Sequence, residues 1–323
     1  MRQFRILALA LLIPVLSGCG TVGHLMAKFA LEPSEHGNEI EADRAKTEGR
    51  YPGIIAWYDS LTLAKVFKDT TIIGEGGCRL HAIYAPAKDP ATAKGDAIVI
   101  HGYTDNHICF LNLVGMYREY LNFNVMVPDL HHHGYSEGET IQMGWLDRLD
   151  IERWIPVTQD IFPTDFMVLH GVSMGAATVM MTAGDEEILP EYVRAFVEDC
   201  GYTSVWDQFS HNIRQSYPWM PAKDVVLGCA SGICKIEHHW DFHQASSVHQ
   251  LAKSTRPMLF IHGDQDDFVP FSHLQQNYDA KTQGYKEMWI APGTKHAMAF
   301  KDHPWEYLEV VTKFLDKVRN ENL

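Results

Sequence analysis

Three things are scarce in this sequence, and each scarcity narrows what the chain does. Basic residues are outnumbered, 27 Lys and Arg against 41 Asp and Glu, for a formal net charge of -14. No basic stripe breaks that balance, which argues against nucleic acid as a partner. Strongly anionic substrates gain no electrostatic steering either. Cysteine is limited to six residues, and five remain once Cys19 is set aside: Cys78, Cys109, Cys200, Cys229 and Cys234. At most two disulfides fit that number. Cys229 and Cys234 are close enough in sequence to pair, or they serve as small buried residues. Long apolar runs are also missing. The N-terminal run Ile6–Leu16 falls well short of the ~20 residues needed to span a bilayer. Repeats and low-complexity tracts are absent as well. What remains, 323 residues of which 46% are hydrophobic, suits one large α/β domain or two small ones.

The stretch VLHGVSMGAATVM, Val168 to Met180, is the most informative one present. A Gly-x-Ser-x-Gly pattern arises by chance in roughly one chain in ten of this length, so its surroundings must decide. Upstream, DFMVLH reads as a buried strand; downstream, MGAATVMMTAG reads as a helix closed by Gly184. A serine at a strand-to-helix junction, with Gly171 and Gly175 relieving crowding on either side, is a nucleophile elbow. The bland alternative is a helix-capping serine.

A serine hydroxyl needs an imidazole to take its proton and a carboxylate to hold the imidazole's tautomer. In the order Ser, acid, His, the acid belongs to PMLFIHGDQDDFVP, Pro257 to Pro270, and the base to KEMWIAPGTKHAMAF, Lys286 to Phe300. Asp266 is the leading acid, with Asp264, Asp267 and the more distant Asp199 as alternatives. Among 18 histidines, His296 stands between the last strand and the C-terminal helix; His303 reads as the start of that helix. The expected oxyanion donors are the backbone N–H groups of Met174, just after the nucleophile, and Tyr103, after the strand AIVIHG. Serine at 173, where an aspartate would signal dehalogenase or epoxide-hydrolase chemistry, implies an acyl-serine intermediate and requires neither cofactor nor metal. The histidine groups at His131–His133 and at His239 and His243 lack the accompanying ligands of a zinc site; His133 reads as a loop support.

Eight strand-like segments are spaced along the chain, the first two joined without a helix. This predicts an α/β fold with a mostly parallel eight-stranded sheet flanked by helices. Some fifty residues between Gly201 and Pro257 lack strand character and predict a cap insertion over about 203–256. Trp206, Phe209, Trp219 and Trp240 within it are candidates to line a pocket. The first residues, MRQFRILALALLIPVLSGCG, predict an export signal over 1–18; its ending, LSGC, resembles a bacterial lipobox and implies lipidation at Cys19, with an ordinary secretory signal as the alternative. Residues 19–65 then form a tethered lead-in, a spacer plus an edge helix, before the main domain at 66–323.

Taken together, HGYTDN, PDLHHHGYSEG, HGVSMGAAT, DCGYTSVWDQF, FIHGDQDDFVP and GTKHAMA resemble the bacterial α/β-hydrolases. The particular resemblance is to exported or membrane-associated serine-aminopeptidase-like or lysophospholipase-like members. Many relatives carry Arg-Gly-His-Gly where this chain has His131, His132, His133 and Gly134. The resemblance implies the triad Ser173, Asp266, His296 with Tyr103 and Met174 as oxyanion donors. The subgroup's substrates do not carry over; the leading expectation from the residues themselves is hydrolysis of a small-molecule ester of a small to medium acyl or aryl group, at a membrane reached through the N-terminal anchor. Amidase or peptidase, thioesterase and acyltransferase activities use the same triad, and a catalytically dead binding protein is the reading from another class.

Overall fold

The computed structural model describes residues 21–32 and 40–323. The signal over 1–18 and the lipidation site at Cys19 lie outside these residues. Three helices lead in: α1 over 21–31, α2 (Ile40–Arg50) and α3 (Ile54–Leu63). The sheet follows as β1 (Lys68–Ile73), β2 (Arg79–Ala85), β3 (Asp96–Ile100), β4 (Asn124–Pro128), β5 (Met167–Val172), β6 (Val193–Asp199), β7 (Met258–Gly263) and β8 (Lys286–Ala291). Each coincides with a predicted strand. The central ones are buried on both faces, which is why they read as apolar runs rather than as alternation.

The strand order is β1-β2-β4-β3-β5-β6-β7-β8. β1 and β2 form an antiparallel hairpin, β2 meets β4 antiparallel, and every later pairing is parallel. Helices α4 (Leu111–Gly115), α5 (Asp147–Ile161) and α6 (Met174–Ala183) connect the middle strands. Residues 111–121 run as α4 and then a π-type turn, and Asn122 ends them in the left-handed region at φ 58°. Between β6 and β7 lie α7 (Val205–Ser216), α8 (Lys223–His238) and α9 (Ser247–Leu251); α10 (Ser272–Ala280), α11 (Ala299–Asp302) and α12 (Pro304–Glu321) complete the chain.

Two apolar clusters fill the space on the two faces of the sheet. Helix α6 is buried along its whole length; its Gly and Ala residues let its backbone lie close to the sheet. The neighbours β3 and β5 mark where strand order reverses, the crevice at which open α/β sheets bind ligands beyond the carboxyl ends of their strands.

Two expectations are corrected here, and the second histidine grouping is placed. The lead-in does not open as a spacer: Ala27 and Leu31 of α1 are buried in the main core. Cys229 and Cys234 do not bond to each other. They sit five residues apart on α8, and 3.6 residues per turn turns them to different faces, with Cys234 in the core. His239 and His243 do not share a helix face, because α8 ends at His238 and His239 adopts φ 65°. Among the described residues, no helix is long and apolar enough to cross a membrane.

Candidate active site

Ser173 sits between β5 and α6 with φ 58° and ψ -118°, a strained corner that lifts the side chain off the sheet edge. The flanking glycines are required by space. A Cβ on Gly171 would lie 2.1 Å from the Gly175 carbonyl oxygen, and one on Gly175 would lie 2.2 Å from that of Ile100. Ser173 occupies the N-cap position of α6, yet its side chain makes no capping bond. Its Oγ instead lies 2.8 Å from His296 Nε2.

His296 stands in the loop after β8, and its Nδ1 lies 2.7 Å from Asp266 Oδ2. Asp266 stands in the loop after β7. Its other oxygen accepts the Phe268 and Val269 N–H groups at 3.0 and 2.9 Å, which fixes the carboxylate plane. His262 Nε2, 3.2 Å from Oδ2, adds a second imidazole that the sequence did not single out. Burial pushes the Asp266 carboxyl up, but the hydrogen bonds and charges of His262 and His296 outweigh it and hold its pKa at about 2.

Two of the three rival carboxylates, those of Asp264 and Asp199, are engaged elsewhere, and Asp267 meets its neighbours through its backbone. Asp264 accepts the Gly293 N–H at 2.7 Å. Asp267 contributes its carbonyl to His211 Nε2 at 2.8 Å. Asp199 accepts the Tyr307 hydroxyl at 3.1 Å, and burial raises its pKa to about 6. Its backbone carbonyl accepts the Ser173 N–H at 2.8 Å, tying β6 to the elbow. His303, the rival base, opens α12 and turns its Nε2 to the Pro292 carbonyl at 2.9 Å.

Met174 is the first residue of α6, so its N–H has no acceptor within the helix. Across from it runs the loop after β3, close enough that a Cβ on Gly102 would lie 3.4 Å from Ser173 Cβ. Tyr103 follows, its ring on the cavity wall and its hydroxyl donating to the Ala30 carbonyl at 3.0 Å. That loop is braced from below. His133 Nε2 accepts the Thr104 N–H at 3.1 Å, while its Nδ1 donates to the His131 carbonyl at 2.9 Å. His101 Nε2 accepts the Leu130 N–H at 2.9 Å and its Nδ1 donates to the Gly102 carbonyl. Both rings must be neutral to accept, and burial lowers the pKa of each. His133 is thus the loop support expected of it. From above, α2 holds the loop through Asp43 on Asn106 Nδ2 at 2.6 Å and Lys46 on Asp105 at 3.2 Å.

Two groups of side chains have metal-like proximity, His81 with His107 and Asp129, and Cys200 with Asp266 and His296. In each the imidazole Nδ1 atoms face the carboxylate as hydrogen-bond partners, so their lone pairs do not converge on a common point. Burial also pushes the Cys200 thiol up, away from the thiolate a metal would need.

A cavity of about 620 Å³ opens over Ser173, Met174 and Tyr103. Of the four aromatic candidates only Phe209 lines it. Trp240 is buried in the main core beside Phe242, Trp206 stacks on His243 at 4.0 Å, and Trp219 points outward, 75% exposed. The rest of the wall includes Met26 and Ala30 of α1, which the sequence reading had placed in a spacer.

A family model, the prolyl oligopeptidase family of peptidases, matches residues 147–322, which contain the elbow, Asp266 and His296. The chain belongs to the prolyl oligopeptidase family. That places it among the α/β-hydrolases, in line with its sheet. A protein from Bacillus subtilis, the uncharacterized protein YqkD, is 27% identical over 237 residues, 72% of this chain and 74% of its own. Among solved structures, an esterase of Pyrococcus furiosus, Pf2001, superimposes with a TM-score of 0.61 at 18% identity, over 78% of this chain and 92% of its own. The acylaminoacyl peptidase of Pyrococcus horikoshii does so at 0.57 and 15% identity, over 80% of this chain and 43% of its own. At these identities the solved structures speak for the fold alone.

Proposed function

We propose that this prolyl oligopeptidase family member is a serine hydrolase that cleaves carboxylic esters through an acyl-serine intermediate. The observation that carries the reading is the unbroken chain Asp266 Oδ2, His296, Ser173 Oγ, with links of 2.7 and 2.8 Å. In the first half-reaction His296 takes the Ser173 proton as Oγ bonds to the acyl carbon. The imidazolium then gives that proton to the departing alkoxide. In the second, His296 deprotonates a water that attacks the acyl carbon, and the carboxylic acid leaves as Ser173 recovers its proton. Asp266 holds the Nδ1–H tautomer and stabilises the imidazolium. The N–H groups of Met174 and Tyr103 receive the oxyanion, each donor worth roughly 3–4 kcal/mol of barrier. These steps use no metal or cofactor.

An ester is favoured over a peptide because the cavity lining carries no charged side chain among the described residues to hold a peptide terminus. Amide cleavage is the second reading, supported by the family match. We further propose that residues 1–18 are a lipoprotein signal and that Cys19 carries the lipid, which places the enzyme on the outer side of a membrane.

Labelling with a fluorophosphonate tests the nucleophile. The parent labels and Ser173→Ala does not; an unlabelled parent would mean a binding protein on a hydrolase fold. Turnover of nitrophenyl esters against aminoacyl anilides then separates ester from amide cleavage, and faster anilide turnover would overturn the ester assignment.

A further inference from the structure

Helix α1 carries more apolar surface than its packing uses. Gly23, Ala27 and Leu31, four residues apart, form its buried stripe. His24, Lys28 and Glu32 form a polar stripe, also four apart. Val22, Leu25 and Phe29 form a third, apolar and turned outward, with 41%, 59% and 80% of their surface exposed. A soluble surface helix ordinarily carries one apolar stripe facing its core.

The third stripe is a fixed surface. Gly23 lies so close to α8 that a Cβ there would stand 2.7 Å from Cys229 Cβ. At the other end of α1, the Ala30 carbonyl accepts the Tyr103 hydroxyl at 3.0 Å and the Leu31 carbonyl accepts the Ile141 N–H at 2.7 Å. The same three residues also border the cavity that ends at Ser173. Tyr217 and Phe268, 40% and 45% exposed, belong to both cavity and surface as well. An uncharged interior therefore leads outward to an apolar rim. A contiguous exposed patch of this kind marks a partner or a membrane.

The sequence before α1 selects between these. The apolar run Ile6–Leu16 ends four residues before α1 begins at residue 21. Any bilayer engaged by that run or by a lipid on Cys19 lies within a few residues of the rim. The net charge of -14 disfavours an anionic surface. The cavity is also large for a small acyl group. At about 620 Å³ it falls within the roughly 300–1,000 Å³ of sites that enclose drug-sized molecules. Met26, Phe209, Ile213, Leu227 and Ala230 give its wall the character of an acyl-chain site.

We propose that the substrate is a long-chain acyl ester carried in a neutral or zwitterionic bilayer, and that the α1 rim seats on that bilayer so the chain passes directly into the cavity. The proposal rests on Ser173 being the nucleophile. Each methylene buried in the cavity improves binding roughly fourfold, so transition-state affinity rises with chain length until the cavity is full.

The test uses the full chain. Nitrophenyl acetate and nitrophenyl dodecanoate are compared in solution, and methylumbelliferyl dodecanoate is presented in phosphatidylcholine vesicles. The parent favours dodecanoate over acetate in kcat/KM by at least tenfold, and Ala230→Trp, which fills the cavity, lowers that ratio at least tenfold. The surface variant Leu25→Ser/Phe29→Ser slows the vesicle-borne ester at least fivefold more than the dissolved one. A parent that reacts with the fluorophosphonate in one sample and, unlabelled, prefers acetate in turnover overturns the proposal while the serine-hydrolase reading stands. So does a double variant that turns over vesicle-borne ester like the parent, or one whose sedimentation changes from dimer to monomer, since the rim is then a contact between copies. A parent that resists the fluorophosphonate removes the nucleophile, and both readings fall.

Discussion

Among the described residues stand two carboxylate–histidine clusters built to nearly the same plan, and only one ends in a serine hydroxyl. Asp266 takes imidazoles from His296 and His262 and two backbone N–H groups, from Phe268 and Val269. Asp129, in the loop after β4, takes imidazoles from His81 and His107 at 2.8 and 2.9 Å and two backbone N–H groups, from His107 and Tyr135. Both carboxylate side chains are fully buried. The difference lies at the far nitrogen of the leading imidazole. His296 turns Nε2 toward the Ser173 hydroxyl at the cavity floor, with 19% of its side chain exposed. His81 turns Nε2 to a second carboxylate, Asp69, at 2.9 Å. An imidazole between a carboxylate and a hydroxyl can pass a proton along; one held between two carboxylates is fixed as a cation. An Asp–His pair is thus no sign of catalysis until the group on the other nitrogen is known.

The comparison is broken most severely at the serine. Ser173→Ala is expected to lower kcat for ester hydrolysis by roughly 10⁴–10⁶ with no loss of thermal stability. Residual activity within tenfold of the parent would remove Ser173 from the chemistry. The two aspartates should then separate. Asp266→Asn leaves His296 in the wrong tautomer and is expected to cost about 10⁴ in kcat. Asp129→Asn leaves two buried imidazoles without their carboxylate and is expected to destabilise by about 3–5 kcal/mol, with kcat of the folded fraction within about tenfold of the parent's. Urea unfolding beside ester turnover checks both. A stable but inactive Asp129→Asn would show that the second cluster belongs to the reaction.

Proton linkage sharpens the same contrast. Burial raises the Asp129 carboxyl, but the charge and hydrogen bond of His107 and the hydrogen bond of His81 overcome it and hold Asp129 well below the usual carboxylate range. Burial lowers the His81 pKa, but Asp129 and Asp69 outweigh it and raise the value. A depressed carboxyl stabilises fully above its unfolded pKa, about 3.9, and that stability is lost as pH falls through the folded value. A raised imidazole stabilises fully below about 6.5, and that stability is lost as pH rises through the folded value. The advantage of the parent over Asp129→Asn should therefore peak between about pH 4 and 6.5 and shrink on both sides. A difference in unfolding free energy that stays flat from pH 4 to 9 would mean that His81 is not the charged partner.

The contrast also explains what could be read from the chain alone. The sheet was legible because buried parallel strands are short apolar runs bounded by Gly and Pro. Ser173, Asp266 and His296 were legible because each directly follows such a run, so a local pattern carries a long-range arrangement. Asp129, His81 and His107 come from three separate segments, and no spacing links them. The cap aromatics failed for a related reason. Composition says that Trp206, Trp219 and Trp240 are large and apolar, but the seating of α7 and α8 decides where each ring points. Helix α1 was misread because its apolar residues, Leu31 among them, were taken together with the long polar stretch that follows from Glu32.

The smallest effect is expected where the second cluster's neighbourhood touches the first. His133 acts on the reaction only through the loop that carries Tyr103, by accepting the Thr104 N–H. Thr104 holds φ 59°, so the loop depends on that acceptor to keep a turn that threonine does not favour. His133→Phe fills the space and removes the acceptor, leaving one donor unpaired; a loss of about tenfold in kcat, with KM little changed, is the expected result. His133→Gln can accept the same bond and should recover most of that loss. Because burial holds the His133 pKa well below 6.5, the ring is already neutral across the working range. The pH–rate curves of parent and His133→Phe should therefore share one shape and differ only in height. A change in shape would mean that residue 133 exchanges a proton during turnover, and the line drawn between the proton-passing cluster and the fixed one would have to move.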